Sequence, residues 1–287
     1  MIRRMTALLT SARAGAAPRT PQAASRTPEP PGYAGVPIVE VATDAGPLWL
    51  QADDGVMLPY LRKNGTWESD EGRILLRHAR PGSVVVDVGA NVGYFSRLLA
   101  TAARPSVVHA FEPHPDLAGI LRLNTWGLAA PVVVHPLALG QRHGTVSITS
   151  ADHNIGDSRV SEHPSGAATR VAAMAPLDEV INGRVDLVKI DVQGYESDVV
   201  AGMVRIIREN PSIVIVSEFW PSAIRGRDLS PTTVLRQYEA QGLTIRVLRN
   251  GSVVPMTHDE ILRFCASAGP EGQANLLLTG PQAGLAG

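Results

Sequence analysis

The stretch Val86-Asp87-Val88-Gly89-Ala90-Asn91-Val92-Gly93-Tyr94-Phe95 decides the fold. It reads as a buried strand that runs straight into a glycine-bearing turn and reopens as a helix. Gly89 and Gly93 let the backbone approach a ligand closely, and a helix opening near Gly93 offers free N–H groups to a carboxylate or phosphate. In an open α/β sheet, cofactors lie across the carboxyl ends of the strands at such a turn.

Outward from this turn, short β-branched runs alternate with longer amphipathic ones, the pattern of a mostly parallel sheet covered by helices. Strands are expected at 83–88, 106–111, 132–135, 185–190 and 212–217, with two more at 243–248 and 274–278. Helices are expected at 93–102, 115–126, 196–208 and 231–241. Residues 36–58 read as short strands broken by turns at Asp44 to Gly46 and at Asp54-Gly55, a β-rich cap. A helix at 69–78 then leads through Pro81-Gly82 into the core. Residues 151–167 show neither period and read as a long functional loop.

The chain is therefore divided into a leader (1–35), a cap with its leading helix (36–80), one α/β domain (81–280) and a loose tail (281–287). The leader is basic and rich in Ala, Pro and Arg, and reads as a disordered segment or a targeting peptide. With 26 Lys+Arg against 27 Asp+Glu, the chain lacks the electrostatic footprint of a nucleic-acid or anionic-membrane binder. No apolar run is long enough to span a bilayer. The single cysteine, Cys265, excludes a Cys-rich metal centre, fits a reducing, cytoplasmic compartment and reads as a small buried apolar group. Nothing in the sequence reports on oligomeric state.

The strand at 106–111 ends in Phe111-Glu112-Pro113, which puts an acid where the ribose hydroxyls of an adenosine-containing cofactor are held. Two cofactors compete. A dinucleotide fingerprint wants glycine where this chain has Asn91 and Tyr94, and those side chains crowd a pyrophosphate. S-adenosylmethionine has no pyrophosphate, and its amino-acid end suits the looser Gly-x-Asn-x-Gly turn with Asp87 reaching its ammonium. The methyl donor is favoured. An NAD(P)-dependent oxidoreductase and a non-catalytic binding module are the rival classes.

The motif set resembles the FkbM-type S-adenosylmethionine-dependent methyltransferases over about residues 67–220. The resemblance rests on the opening stretch, on Phe111-Glu112-Pro113, Pro136-Leu137-Ala138-Leu139-Gly140 and Pro176-Leu177-Asp178, and above all on Val188-Lys189-Ile190-Asp191-Val192-Gln193-Gly194-Tyr195-Glu196. The chain departs from the family pattern at Gln193, where members usually carry glutamate, and at Ile155-Gly156-Asp157-Ser158, where they carry a Gly-Gly-Ser-like loop. The resemblance implies a class I methyltransferase fold: α/β, Rossmann-like, with a seven-stranded, mostly parallel sheet whose last strand is antiparallel. It also implies O-methylation of a small molecule such as a sugar, polyketide or other specialised metabolite, with N-methylation of an amine or amino sugar as the alternative.

Carried over by position, the cofactor contacts are Asp87, Gly89, Ala90, Asn91, Gly93, Tyr94, Glu112, Pro113, Ala138, Leu139 and Asp191. Asp87, Gly89, Asn91 and Gly93 would hold the methionine end, Glu112 the ribose, and the turn at Ala138-Leu139 the adenine. Asp191 would face the reacting methyl. Asp191 and His153 are the candidate general bases. Glu218 could instead join Asp191 in holding Mg²⁺, although metal-independent transfer is the first choice. Glu68 either closes the site from the cap side or is an acid favoured at a helix N-terminus, and Phe219-Trp220-Pro221 either lines the acceptor pocket or packs the following loop.

Overall fold

The computed structural model describes residues 33, 35–151, 154–161 and 169–284. The chain opens with a hairpin of β1 (Ile38–Thr43) and β2 (Gly46–Gln51), turning at Asp44 to Gly46 as expected. The second Asp-Gly pair, at Asp54-Gly55, starts a helix, α1 (Met57–Asn64), where a strand was expected. Asp54 Oδ1 accepts the N–H groups of Val56, Met57 and Leu58 at 2.9, 2.7 and 3.1 Å, satisfying donors that a first turn leaves orphaned. Then α2 (Ser69–His78) occupies its predicted span.

The core follows as β3 (Val84–Val88), α3 (Tyr94–Ala102), β4 (Val107–Phe111), α4 (Pro115–Thr125) and β5 (Val132–His135), with β3, β4 and β5 paired in parallel. Next come β6 (Ala138–Leu139), β7 (Gly144–Ala151), β8 (Asn154–Ser161) and β9 (Thr169–Ala175), a second sheet of order β6-β9-β7-β8. This corrects the loop expected at 151–167, because β8 pairs antiparallel with β7. The chain continues through α5 (Leu177–Val180), β10 (Leu187–Ile190), α6 (Glu196–Ala201), α7 (Val204–Glu209), β11 (Val214–Phe219) and α8 (Pro221–Gly226). It closes with α9 (Pro231–Ala240), β12 (Thr244–Arg249), β13 (Ser252–Val254), α10 (His258–Ser267) and β14 (Ala274–Thr279).

The large sheet has the order β13-β12-β14-β11-β10-β3-β4-β5, and β14 runs antiparallel to both of its neighbours. Seven strands were expected and eight are present among the described residues. The eighth, β13, extends the edge through a tight hairpin at Asn250 and Gly251, both at positive φ.

Residues on the central strands alternate between two buried layers, as the pleat requires. Val86, Val88, Val188 and Ile190 face α6, α7 and α9, whereas Val85, Leu187, Val214 and Val216 face α2, α3 and the first hairpin. Leu48 and Leu50 of β2 and Leu75 of α2 belong to the second layer and are fully buried, so the cap shares the core of the domain. Asn124 stitches the two together. Its side chain bonds both backbone groups of Trp49 and donates to the Val92 carbonyl beside the glycine turn.

Residues 1–32 of the expected leader, residues 285–287 of the tail and the candidate base His153 lie outside the described residues. Among the described residues, no helix is long and apolar enough to cross a membrane. Cys265 is buried in the core, and burial pushes its thiol up to about 11, in line with a packing role.

Candidate active site

The carboxyl ends of β3, β4 and β10 meet at one edge of the sheet, and a cleft opens there. It is lined by Val88, Gly89, Phe111, Pro113, Leu139 and Tyr195, among others. Gly89 has φ +76°, and a Cβ built on it would lie 1.8 Å from the Asp191 carbonyl oxygen. Glycine is therefore required twice over, once for the turn and once because the β3 and β10 loops touch backbone to backbone.

Two buried glutamates brace these loops from opposite sides. Glu112 accepts N–H bonds from Asn91 at 2.9 Å and His114 at 2.8 Å. Glu196 accepts from Val192 at 3.1 Å and Gly194 at 3.0 Å. Burial pushes both carboxyls up to about 7, against the pull of those N–H donors. Each folded value stands above the ordinary 4.5. The stability these groups contribute is thus full below about pH 4.5 and is lost as pH rises through about 7.

Asp191 lies directly after β10. Gln193 Nε2 donates to its Oδ1 at 3.1 Å, and the Lys189 ammonium lies 3.3 Å from its Oδ2. Lys189 is fully buried, 4.0 Å from Glu71 and 4.7 Å above the Phe95 ring. Burial alone would strip its proton, but Asp191, Glu71, Asp87 and Glu68 together outweigh that and hold the ammonium above the ordinary lysine value. Isolated buried charges are costly, and this one is stabilised by acids from three different elements.

The cap supplies two of them. Glu68 caps α2 in a left-handed conformation and Glu71 follows one turn on, and both are raised first by burial. Glu218, ending β11, is pushed up to about 9 by burial and then by Asp191, Glu196 and Glu68. Asp191, the other residue named for Mg²⁺, already has the Lys189 ammonium as a partner. Among the described residues, no group of three or more His, Cys, Asp or Glu side chains is placed to hold a metal.

A family model, the methyltransferase FkbM domain, matches residues 87–269, more than half of the chain. The chain belongs to the FkbM methyltransferase family. It is similar to the hexuronic acid methyltransferase AglP of Haloferax volcanii, at 28% identity over 151 residues, 52% of this chain and 61% of AglP. It is also similar to the 31-O-demethyl-FK506 methyltransferase FkbM of Streptomyces tacrolimicus, at 54% identity over 56 residues, 18% of this chain and 21% of that protein. The chain thus spans less than two thirds of the length of either relative. The crystal structure of methyltransferase FkbM from Methylobacillus flagellatus KT aligns with 16% identity and a TM-score of 0.43, covering 69% of this chain and 43% of that one.

Within this FkbM domain the residues singled out from sequence divide into groups. Gly89, Pro113, Ala138 and Leu139 line the cleft, and Ala138 and Leu139 do so as the short strand β6, where a turn was expected. Asn91, at φ +52°, and Glu112 are not lining residues and are joined by the Asn91 N–H bond. Ala90 is buried with its N–H on the Phe111 carbonyl. Gly93, at φ +91°, leaves room for Leu121 of α4, which a Cβ would meet at 2.3 Å.

Two further side chains are buried. Asp87 is wholly buried on β3, with Oδ2 accepting from Ser96 at 2.6 Å and Oδ1 without a hydrogen-bond partner among the described residues. Tyr94 is buried too, and its hydroxyl donates to Asp44 of the hairpin at 2.6 Å. Phe219 and Trp220 are buried, with the Trp220 indole N–H on Glu271 at 3.1 Å, so this cluster packs the core.

Glu71 and Arg227 were not singled out from the sequence, and Tyr195 and Glu196 entered only within the Val188 to Glu196 block, with no role of their own. A lysine inside the apolar strand Leu187–Ile190 was the available signal for a buried acid partner. It names no partner, because Glu71 is 118 residues away.

Proposed function

We propose that this chain transfers a methyl group from S-adenosylmethionine to a hydroxyl of a small molecule, a sugar, polyketide or other specialised metabolite. The observation that carries this reading is the cleft at the ends of β3, β4 and β10, lined by Gly89, Phe111, Pro113, Leu139, Val192 and Tyr195, with Glu112 and Asp191 adjacent in the chain to its lining residues. The residues present suit an adenosyl amino acid. Glu112, whose two oxygens already accept the Asn91 and His114 N–H groups, is the acceptor this reading gives the ribose diol, Phe111, Leu137 and Leu139 form apolar walls for a base, and the turn from Gly89 to Gly93 accommodates the amino-acid end. With Asp87 buried, its role in this reading is to hold Ser96 at the start of α3.

When bound, the cofactor supplies an electrophilic methyl on a sulfonium. Asp191 is the proton acceptor for the attacking hydroxyl, and Lys189 and Gln193 set its orientation. Holding nucleophile and methyl in line can account for roughly 7–11 kcal/mol of the barrier, so placement dominates the chemistry. The names of the two relatives, one for a sugar acid and one for a 31-O position, support an oxygen acceptor on a small molecule.

The test is release of S-adenosylhomocysteine across methyl hexopyranosides, methyl hexuronosides, hydroxylated macrolides and amino sugars, using EDTA-treated enzyme. Methylation on oxygen, undiminished by EDTA, is the expected result. Methylation confined to the amine of amino sugars, or activity that returns only with Mg²⁺, would contradict the reading.

A further inference from the structure

Tyr195 forms one wall of the cleft, although it sits on an irregular loop between β10 and α6. Such a loop needs an external support to hold an aromatic ring still. Arg227, the residue that ends α8, provides one. Its guanidinium lies 3.6 Å from the Tyr195 ring centroid. Its Nη1 donates to the Gly194 carbonyl at 2.9 Å and to Asp198 Oδ2 at 2.6 Å. One side chain therefore engages the residue before the ring, the ring itself and the first turn of the helix after it.

The contact is tight on the backbone side as well. Gly194 has φ +99°, and a Cβ there would lie 2.7 Å from Ala223 Cβ, so α8 rests directly on the loop. On the other flank Glu196 ties down the Val192 and Gly194 N–H groups. Gln193, at φ +54°, is caught between these supports. Arginine suits this position because its flat cation stacks on an aromatic face while its edge N–H groups remain free to donate.

We propose that Arg227 is a positioning residue for the cofactor cleft, fixing the Tyr195 ring as a wall against which the S-adenosyl group binds. This rests on the cofactor reading given above. Arg227 touches neither cofactor nor acceptor; it acts through Tyr195.

The test is calorimetric titration of S-adenosylhomocysteine into wild type, R227M, R227K and D198N, each well below its own Tm. R227M is expected to bind about tenfold more weakly, and R227K, which keeps the charge but not the flat stack, to fall between it and wild type. D198N, which weakens an ion pair without touching the ring, is expected to lower Tm with affinity within about twofold of wild type. If R227M does not fold, R227K decides. Wild-type affinity in a folded R227M, or in R227K where only that variant folds, overturns the proposal. A wild type that fails to bind S-adenosylhomocysteine overturns the cofactor reading itself, which is a separate and recognisable outcome.

Discussion

Asp191→Asn is expected to lower kcat by about 10²–10⁴-fold while leaving the Kd for S-adenosylhomocysteine within about threefold of wild type. The substitution is nearly isosteric, so packing barely changes, but it exchanges one acceptor oxygen for a donor. In the native site, Gln193 and Lys189 each donate to one carboxylate oxygen. Asparagine can satisfy only one of them, and its amide cannot take a proton from an alcohol. The buried ammonium keeps Glu71 as a partner at 4.0 Å, so the fold is expected to survive. A steady-state comparison on the best alcohol of the acceptor panel, paired with calorimetry, separates the two effects. Unchanged kcat would move the proton acceptor elsewhere, to His153 first.

The second large effect is expected at Gly89. Gly89→Ala places a methyl carbon 1.8 Å from the Asp191 carbonyl oxygen, on a residue whose φ of +76° already disfavours any side chain. The obstructing atom is backbone, so no rotamer change relieves it. The β3 and β10 loops must separate, at an expected cost of about 2–4 kcal/mol in stability. Because those two loops form the floor of the cleft, S-adenosylhomocysteine affinity should fall by at least about 100-fold, equivalent to about 2.7 kcal/mol. Thermal unfolding and calorimetry on the same preparation check both parts. A variant of native stability and affinity would show that the two loops do not bear on each other as described.

Much of the sheet was legible because buried parallel strands are short apolar runs with glycine or acid at their ends. Val84–Val88, Val107–Phe111 and Val132–His135 fall within a residue or two of their expected spans. The misses have local causes. Pro59 sits in the first turn of α1, where its missing N–H is harmless, yet it reads as the end of a strand. The strands β7 and β8 are rich in Ser, Thr and Gly, so their alternation is weak against the turn signals within them. The helix expected at 196–208 breaks at Gly202, where a Cβ would lie 2.1 Å from the Gly140 carbonyl oxygen. That contact joins residues 62 positions apart and leaves no local trace.

The site divides in the same way. Gly89, Glu112 and Asp191 were legible because strand ends and turns are local features. The burial of Asp87, the turning of Tyr94 toward Asp44, and the Glu71–Lys189 and Arg227–Tyr195 contacts were not, because each depends on how distant elements pack.

The cleft is proposed to be built for an S-adenosyl cofactor held through Glu112. The most direct measurement is calorimetry of the whole chain with S-adenosylhomocysteine at pH 6 and pH 8, with NAD⁺ as the competing ligand. Ribose hydroxyls bind the ionised carboxylate, and the Glu112 carboxyl stands at about 7. Affinity should therefore rise by up to about tenfold from pH 6 to pH 8, following the ionised fraction. One saturable site for S-adenosylhomocysteine with that pH dependence, and no heat with NAD⁺, is the expected result. Binding of NAD⁺ without binding of S-adenosylhomocysteine would contradict the proposal.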